Sequence, residues 1–463
     1  MPAGSSCQRM YKEDTIVALS TPPGVSAIGV IRLSGPEAIA IAESVFRGKK
    51  LSQQPSHTLH HGWIIDGKSE VDEVVIGLFR APHSYTGEDV VEISAHGSPF
   101  VLQKIIHVLV DRGARPAEPG EFTKRAFLHG RMDLTQAEAV ADLIAASSEA
   151  AHRNALQHLR GGFSRNIQML KDKLVDFASL VELELDFSEE DVEFADRGQL
   201  RHLVTELKAE IAHLLESFRL GNAVTQGISV VIAGQPNAGK STLLNRLLND
   251  ERAIVSDIPG TTRDTIEECI QIEGILFRLI DTAGLREAGD TVERLGIERT
   301  LTKAHSSAIL VYLFDVNTAT AEQIKKDLSV LRHPQTALVL AGNKIDQQSD
   351  VPAGFDVEGA EIIWLSSKTG QNVEKLKSAL VSKVSDLIFR PDDTLVTNVR
   401  HYEALKKALE ALDEVLQGLE GATSGELLAL DIRRALDALA AITGQISSED
   451  VLNAIFSRFC IGK

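Results

Sequence analysis

Residues Gly234-Gln-Pro-Asn-Ala-Gly-Lys-Ser241 fit the phosphate-loop template G-x-x-x-x-G-K-[ST], and their flanks decide how the surrounding chain folds. A short β-branched run, Ile228 to Ala233, leads into the loop, and Thr242 to Leu248, with leucines at helical spacing, leads out of it. A strand, a glycine-rich turn and a helix in that order aim successive backbone N–H groups and a helix N-terminus at a phosphate. Asn237, Ala238, Gly239, Lys240, Ser241 and Thr242 are therefore candidate nucleotide contacts, with Lys240 as a point charge and Ser241 as a Mg²⁺ ligand.

Beyond the loop, apolar strands at Ile228 to Ala233, Phe277 to Ile280, Ile309 to Phe314, Ala337 to Ala341 and Glu361 to Leu365 alternate with helical stretches. Such alternation predicts a mainly parallel sheet covered by helices on both faces. Asn343-Lys344-Ile-Asp346 follows the fourth strand, and the Asp346 carboxylate suits guanine, whose ring N–H and exocyclic amine form a donor pair that adenine lacks. Ser366, Ser367 and Lys368 after the next strand complete a base pocket. Asp281-Thr282-Ala283-Gly284 emerges from a strand end, with Asp281 toward Mg²⁺ and the Gly284 N–H toward a γ-phosphate, and Gly260-Thr261-Thr262-Arg-Asp264 supplies a threonine for the metal shell. In this order the segments resemble TRAFAC-type GTPases. Leu285 stands where many regulatory GTPases carry a glutamine, and an aliphatic side chain cannot position water. Hydrolysis must then recruit another polar group and another positive charge. Oxygens from Asn237 and from Ser256-Asp257-Ile258-Pro259-Gly260-Thr261 can hold a monovalent cation there.

The rest of the chain is of two kinds. From Asp14 to about Arg131, strands at Thr15 to Leu19, Ile28 to Leu33, Thr58 to Ile65, Glu73 to Phe79 and Val90 to Ser94 mix with helices at Pro36 to Val45 and Pro99 to Val110, an α/β domain of its own. Its turns Thr21-Pro-Pro-Gly24 and Ser84-Tyr-Thr-Gly87 are placed to line a ligand site. Asp133 reads as an N-cap, and proline-free amphipathic helices follow, among them Leu134 to Ile144, Ser164 to Leu185 and Gly198 to Phe218, until Gly221 closes the region. Helical pattern resumes at Tyr402 to Gly418, Ser424 to Ile442 and Ser448 to Phe459. The expected architecture is multidomain α/β plus all-α: residues 1–131, a discontinuous helical domain (132–226 and 386–463), and a nucleotide domain (227–385) inserted into it.

With 463 residues, 43% hydrophobic and 24% charged, the chain has the composition of a globular multidomain protein. No apolar run approaches the roughly 20 residues that span a bilayer, and the first dozen residues lack a signal-peptide core, so the expectation is cytoplasmic. Cys7, Cys269 and Cys460 show neither C-x-x-C nor Cys/His clustering, so neither a disulfide framework nor a zinc site is suggested. A net charge of −17 argues against a broad basic surface for nucleic acid.

The phosphate loop, Gly260-to-Asp264, Asp281-Thr-Ala-Gly-Leu-Arg286, the Gly120-to-Ile144 stretch and the terminus Cys460-Ile-Gly-Lys463 together resemble the MnmE (TrmE) family of tRNA-modification GTPases. The resemblance implies an N-terminal tetrahydrofolate-binding and dimerisation domain, a helical domain and an inserted Ras-like P-loop GTPase domain. It also implies a homodimer that joins the FAD-carrying partner MnmG in a heterotetramer or larger complex. That complex would place aminomethyl or carboxymethylaminomethyl groups on the wobble uridine of certain tRNAs, the one-carbon unit coming from a 5-formyl or 5,10-methylene folate. Carried over by motif, Asn237, Ser256, Ile258 and Thr261 would surround K⁺, Ser241 and Thr262 would ligate Mg²⁺, and Glu293 would orient water. Arg32, Glu92, Arg131 and Lys463 match folate positions, and Cys460 is either a nucleophilic or redox thiol or a small apolar helix-end residue. Two other classes stay open: a switch of the Era-like kind docking on an assembly, and a folate-dependent transferase acting on a small molecule.

Overall fold

The computed structural model describes residues 14–186, 197–251, 267–281, 307–333, 336–348, 357, 361–385, 395–421, 425–457, 459 and 461–462. Their contacts divide into two compact units, one from Met1–Ala141, Leu159–Lys171 and Leu439–Lys463, the other from Asp142–His158 and Asp172–Ala438.

The first unit is built on a seven-stranded sheet, ordered β3-β4-β5-β6-β2-β1-β7. These strands are β1 (Ile16–Leu19), β2 (Ile28–Ser34), β3 (Phe46–Arg47), β4 (Thr58–Asp66), β5 (Ser69–Phe79), β6 (Val90–His96) and β7 (Arg115–Pro116). Alternation along the central strands sends Ile31, Leu33, Ile76 and Ile93 to one face, where α1 (Ala38–Ser44) and α2 (Pro99–Asp111) cover them with Ile41, Leu102 and Ile105. The antiparallel register of β2 and β6 sets Arg32 directly opposite Glu92. Neither two-residue strand is long enough to show a period, and α3 (Glu121–Leu128), which begins at the left-handed Gly120, was likewise not expected. The N-cap at Asp133 is present: its Oδ1 accepts from the Gln136 N–H at 2.9 Å, and Gln136 Oε1 accepts from the Asp133 N–H at 3.0 Å, opening α4 (Leu134–Ala145). Leu134 and Ala137 of α4 pack on Leu452 and Phe456 of the last helix, Glu449–Phe456.

The second unit contains a six-stranded sheet, ordered β13-β12-β11-β8-β10-β9. The five expected strands are β8 (Ile228–Gly234), β10 (Ile275–Asp281), β11 (Ile309–Asp315), β12 (Ala337–Asn343) and β13 (Ile362–Trp364), all paired in parallel. β9 (Glu267–Ile272) is an unforeseen antiparallel edge strand, joined to β10 by a tight turn in which Glu273 and Gly274 have φ of 49° and 81°. Its polar start hides the strand pattern. The turn docks on the first residues of α5 (Glu149–Leu159), where the Ala150 N–H donates to the Gly274 carbonyl at 3.3 Å.

Of the long helices, α6 (Gly162–Asp186) agrees with expectation within two residues at its start and one at its end. α7 (Arg197–Gln226) does not stop at Gly221 as expected. A Cβ at Gly221 would lie 2.1 Å from the Val396 carbonyl oxygen, so this glycine admits the segment that leads into the helix Val399–Glu420. The Val396 N–H donates to Ser217 Oγ at 3.1 Å, and Phe218 stacks on Tyr402 with centroids 4.5 Å apart. Among the described residues no helix is long and apolar enough to cross a membrane.

Candidate functional site

The parallel sheet fixes one site at its carboxyl edge. β8 delivers Gly234 beside Leu313 of β11, with φ at 149° and its Cα so close that a Cβ would sit 1.9 Å from the Leu313 carbonyl. The loop then turns through Asn237, an exposed residue at φ 62°, a left-handed conformation that asparagine tolerates. Gly239 at φ 95° leaves space that a Cβ would fill within 2.3 Å of Asn343 Nδ2. Lys240 folds over its own loop, donating to the carbonyls of Gly234 and Gln235 at 3.0 and 2.9 Å. Ser241 and Thr242 are exposed in the first turn of α8 (Lys240–Glu251), where a helix N-terminus meets solvent. Ala238 is buried beneath the loop.

Asn343 ties this loop to the Ser366-Ser367-Lys368 turn. It is 2% exposed; its Nδ2 donates to the Ala238 carbonyl at 2.7 Å and its Oδ1 accepts from the Ser367 N–H at 2.9 Å. One side chain thus holds the phosphate loop and the Ser366-Ser367-Lys368 turn in a fixed spacing. Ser366 Oγ donates to Asp346 Oδ1 at 2.5 Å, leaving the exposed Asp346 oriented at the rim. Lys344 donates to Asp315 at the end of β11 at 2.7 Å; burial raises the Asp315 pKa, but the Lys344 and Asn317 hydrogen bonds outweigh it and hold the carboxyl below its usual range. Arg246 of α8 donates to the Lys368 carbonyl at 2.8 Å, a second tie between the helix after the phosphate loop and the Ser366-to-Lys368 turn. Asp281 lies at the end of β10, its backbone paired with Ile232. Ser256, Asp257, Ile258, Pro259, Gly260, Thr261, Thr262, Thr282, Ala283, Gly284, Leu285 and Glu293 lie outside the described residues.

A second group of candidates meets on the first unit's sheet. Arg32 Nε donates to Glu92 Oε1 at 2.9 Å, its Nη2 lies 2.8 Å from the same oxygen in an ion pair, and the side chains are 18% and 30% exposed. The Arg32 guanidinium also lies over two rings, 5.2 Å from the Tyr85 centroid and 5.7 Å from that of Phe122. Tyr85 lies in the Ser84-to-Gly87 turn and Phe122 in the Gly120-to-Ile144 stretch, and no local pattern in the sequence marks either ring as part of a site. Arg131 is exposed, its Cγ within 3.3 Å of where a Cβ on Gly87 would be. The chain end comes to the same sheet: Ile461 bridges Pro119, Ser20 Oγ donates to the Gly462 carbonyl at 3.1 Å, and a Cβ on Gly462 would lie 2.2 Å from the Leu19 carbonyl. Cys460 and Lys463 lie outside the described residues. Among the described residues no cluster of His, Cys, Asp or Glu is arranged to hold a metal ion.

A phosphate-loop motif and the Asn343-Lys344-Ile345-Asp346 motif at one edge of a parallel sheet, joined by the Asn343 side chain, define a GTP-hydrolysing P-loop enzyme. Comparison with known proteins narrows the class. The model for the GTP-binding protein TrmE N-terminus matches residues 15–131, and that for the MnmE helical domain matches residues 134–460. A protein of Cytophaga hutchinsonii is 53% identical, covering 97% of this chain and 98% of its own. Relatives from Christiangramia forsetii and Flavobacterium johnsoniae are 49% and 48% identical, each covering 98% of this chain and 100% of its own. All three bear the name tRNA modification GTPase MnmE. The chain belongs to the MnmE (TrmE) family.

Proposed function

We propose that this chain is the K⁺-dependent GTPase subunit of a tRNA-modifying complex. With FAD-containing MnmG, it adds an aminomethyl or carboxymethylaminomethyl group to C5 of the wobble uridine, using a one-carbon unit from a tetrahydrofolate derivative. The observation that carries the GTPase part is the Asn343 clamp, which sets phosphate-loop and base-pocket residues at one spacing before any ligand arrives. The family relationship supports the tRNA part.

In this reading Asn237 to Thr242 receive the phosphates, and Asp346 with Ser366 to Lys368 receives the base. Mg²⁺ would be held by Ser241 and Thr262, with Asp281 to Gly284 facing the γ-phosphate. K⁺ would be held by Asn237, Ser256, Ile258 and Thr261. The exposure of Asn237 and Ser241 on the loop suits ligand roles. The cations would neutralise charge developing on the transferred phosphoryl group, the task Leu285 leaves to others. Glu293 would orient the attacking water. Arg32, Glu92, Arg131 and Lys463 form the folate site, and the docking of Gly462 beside β1 supports including the terminal lysine. Residues 1–131 would mediate a homodimer, residues 132–226 and 386–463 would form the helical domain around a GTPase domain at 227–385, and the complex would be cytoplasmic.

The test is a nucleoside mass spectrum of tRNA from a deletion strain. Loss of the modified wobble uridine, restored by the wild-type chain, is expected; an unchanged spectrum overturns the proposal. Equal GTP hydrolysis in K⁺ and Na⁺ would sink the cation assignment alone.

A further inference from the structure

The Arg32–Glu92 pair is only half used. The guanidinium meets one oxygen, Glu92 Oε1, through the Nε hydrogen bond and the Nη2 ion-pair contact, and among the described residues Glu92 Oε2 accepts no hydrogen bond. The pair thus presents an acceptor beside donors, the complement of a planar ring edge carrying an N–H next to a carbonyl. An arginine held by one carboxylate oxygen at the surface can swing about that contact, and what removes the freedom here is the pair of rings beneath it. Tyr85 and Phe122 come from separate elements, the turn before β6 and helix α3. The Tyr85 hydroxyl bonds Thr123 Oγ1 at 2.8 Å, linking the two ring-bearing elements directly.

Those elements are also pinned together from below. Arg125, one turn after Phe122, is 1% exposed and donates to both oxygens of Glu88, three residues after Tyr85, at 3.2 and 3.1 Å. The same guanidinium donates to Asp14 Oδ1 at 2.7 Å and Glu121 Oε1 at 3.1 Å, and Ser34 Oγ of β2 donates to Glu88 Oε2 at 2.6 Å. A buried ion network therefore fixes the two rings relative to β2, the strand that carries Arg32.

We propose that Tyr85 and Phe122 are positioning residues of the folate site, an aromatic cradle that holds the Arg32 guanidinium in one plane so that the Arg32–Glu92 edge meets the ligand ring preorganised. This inference rests on the folate reading of that site and adds two residues to it. The cradle acts through the ring faces, and the Arg125–Glu88 contact still joins the two elements when the Tyr85–Thr123 bond is lost, so removing the Tyr85 hydroxyl keeps the cradle and removing its ring does not.

The test is calorimetric binding of 5-formyltetrahydrofolate to the full-length chain. Tyr85→Leu is expected to weaken binding by about tenfold, whereas Tyr85→Phe stays within about twofold of wild type. In an Arg32→Lys background, where no planar guanidinium remains to be held, Tyr85→Leu is expected to add little further loss. Wild-type affinity in Tyr85→Leu, or the same tenfold loss in both backgrounds, overturns the cradle while leaving the folate reading intact. A wild-type chain that binds no folate overturns both. Should Tyr85→Leu fail to fold by circular dichroism, Tyr85→Phe and Phe122→Tyr decide, since each keeps a ring face; a tenfold loss in either overturns the proposal.

Discussion

Arg125→Met is the sharpest probe of how the first unit is held together. Methionine keeps roughly the length and none of the donors of a guanidinium that is 1% exposed and bonded to Asp14, Glu88 and Glu121. Arg115 remains between Asp14 and Glu121, so those two carboxylates keep one cation, but Glu88, 11% exposed, loses its bidentate partner. Removing one member of a buried ion pair costs about 3–5 kcal/mol, and the surviving Arg115 puts this case near the low end. Urea unfolding of a Trp364→Phe background, with Trp63 as the reporter in the affected sheet, measures it. The pH dependence has a definite sign. Burial raises the pKa of Asp14 and Glu121, but hydrogen bonds from Arg115 together with the bonds and charge of Arg125 outweigh it, so both folded values lie below the ordinary 3.8 and 4.5. The folded state then binds fewer protons than the unfolded chain, and the contribution is complete above about pH 4.5 and lost as pH falls through the folded values. The gap between wild type and Arg125→Met should be widest at neutral pH and should narrow below pH 4.5. A cost under about 1 kcal/mol at pH 7, or a gap that has not narrowed by about pH 3, refutes the reasoning.

Asn343→Ala leaves the Ala238 carbonyl and the Ser367 N–H without their partner, at about 1–3 kcal/mol for each group left unpaired. GDP affinity in a fluorescent-nucleotide titration should fall at least about tenfold, and an unchanged affinity refutes the clamp. Asp346→Asn replaces an acceptor-only group by a carboxamide that can also donate, which suits the carbonyl xanthine carries in place of the guanine amine. Xanthosine triphosphate should gain on GTP in competition binding, and a retained preference for GTP would show that Asp346 does not read the base. Gly462→Ala forces a side chain onto a residue at φ 96° and within 2.2 Å of the Leu19 carbonyl, so the terminal residues should release and carboxypeptidase should trim them faster than in wild type. Equal trimming rates would show that the Ser20 contact does not hold the tail.

What could be read from the sequence is chemistry that is contiguous along the chain. The phosphate loop, the Asn343-to-Asp346 turn and the Ser366-to-Lys368 turn each carry their geometry within a few residues, and each lies at the end of an expected strand. Arg32 and Glu92, by contrast, are sixty positions apart and meet only through strand register; family resemblance named them, and their residue types alone did not. The cradle rings escaped for the same reason, since Tyr85 and Phe122 face one guanidinium from two elements that no local pattern connects. Gly221 shows how a correct rule can mislead. Glycine does end helices, but here the missing Cβ serves a neighbour distant in sequence, and the helix runs on to Gln226. β9 escaped because its first residues are acidic and it lies at a sheet edge.

The meeting of α7 with the segment before Val399–Glu420 bears on the order in which the second unit assembles. Ser217 and Val396 are hydrogen-bonded across 179 positions, with the whole six-stranded sheet between them. Were that intervening chain still random, closing so long a loop would cost roughly 4–5 kcal/mol before any contact rewarded it. Once the sheet has formed and drawn its own ends together, the same closure amounts to joining a short connection. The two helices are therefore expected to dock late, after the nucleotide-binding sheet, and a lesion that delays the sheet should leave the helices unpaired even though none of their own residues has changed.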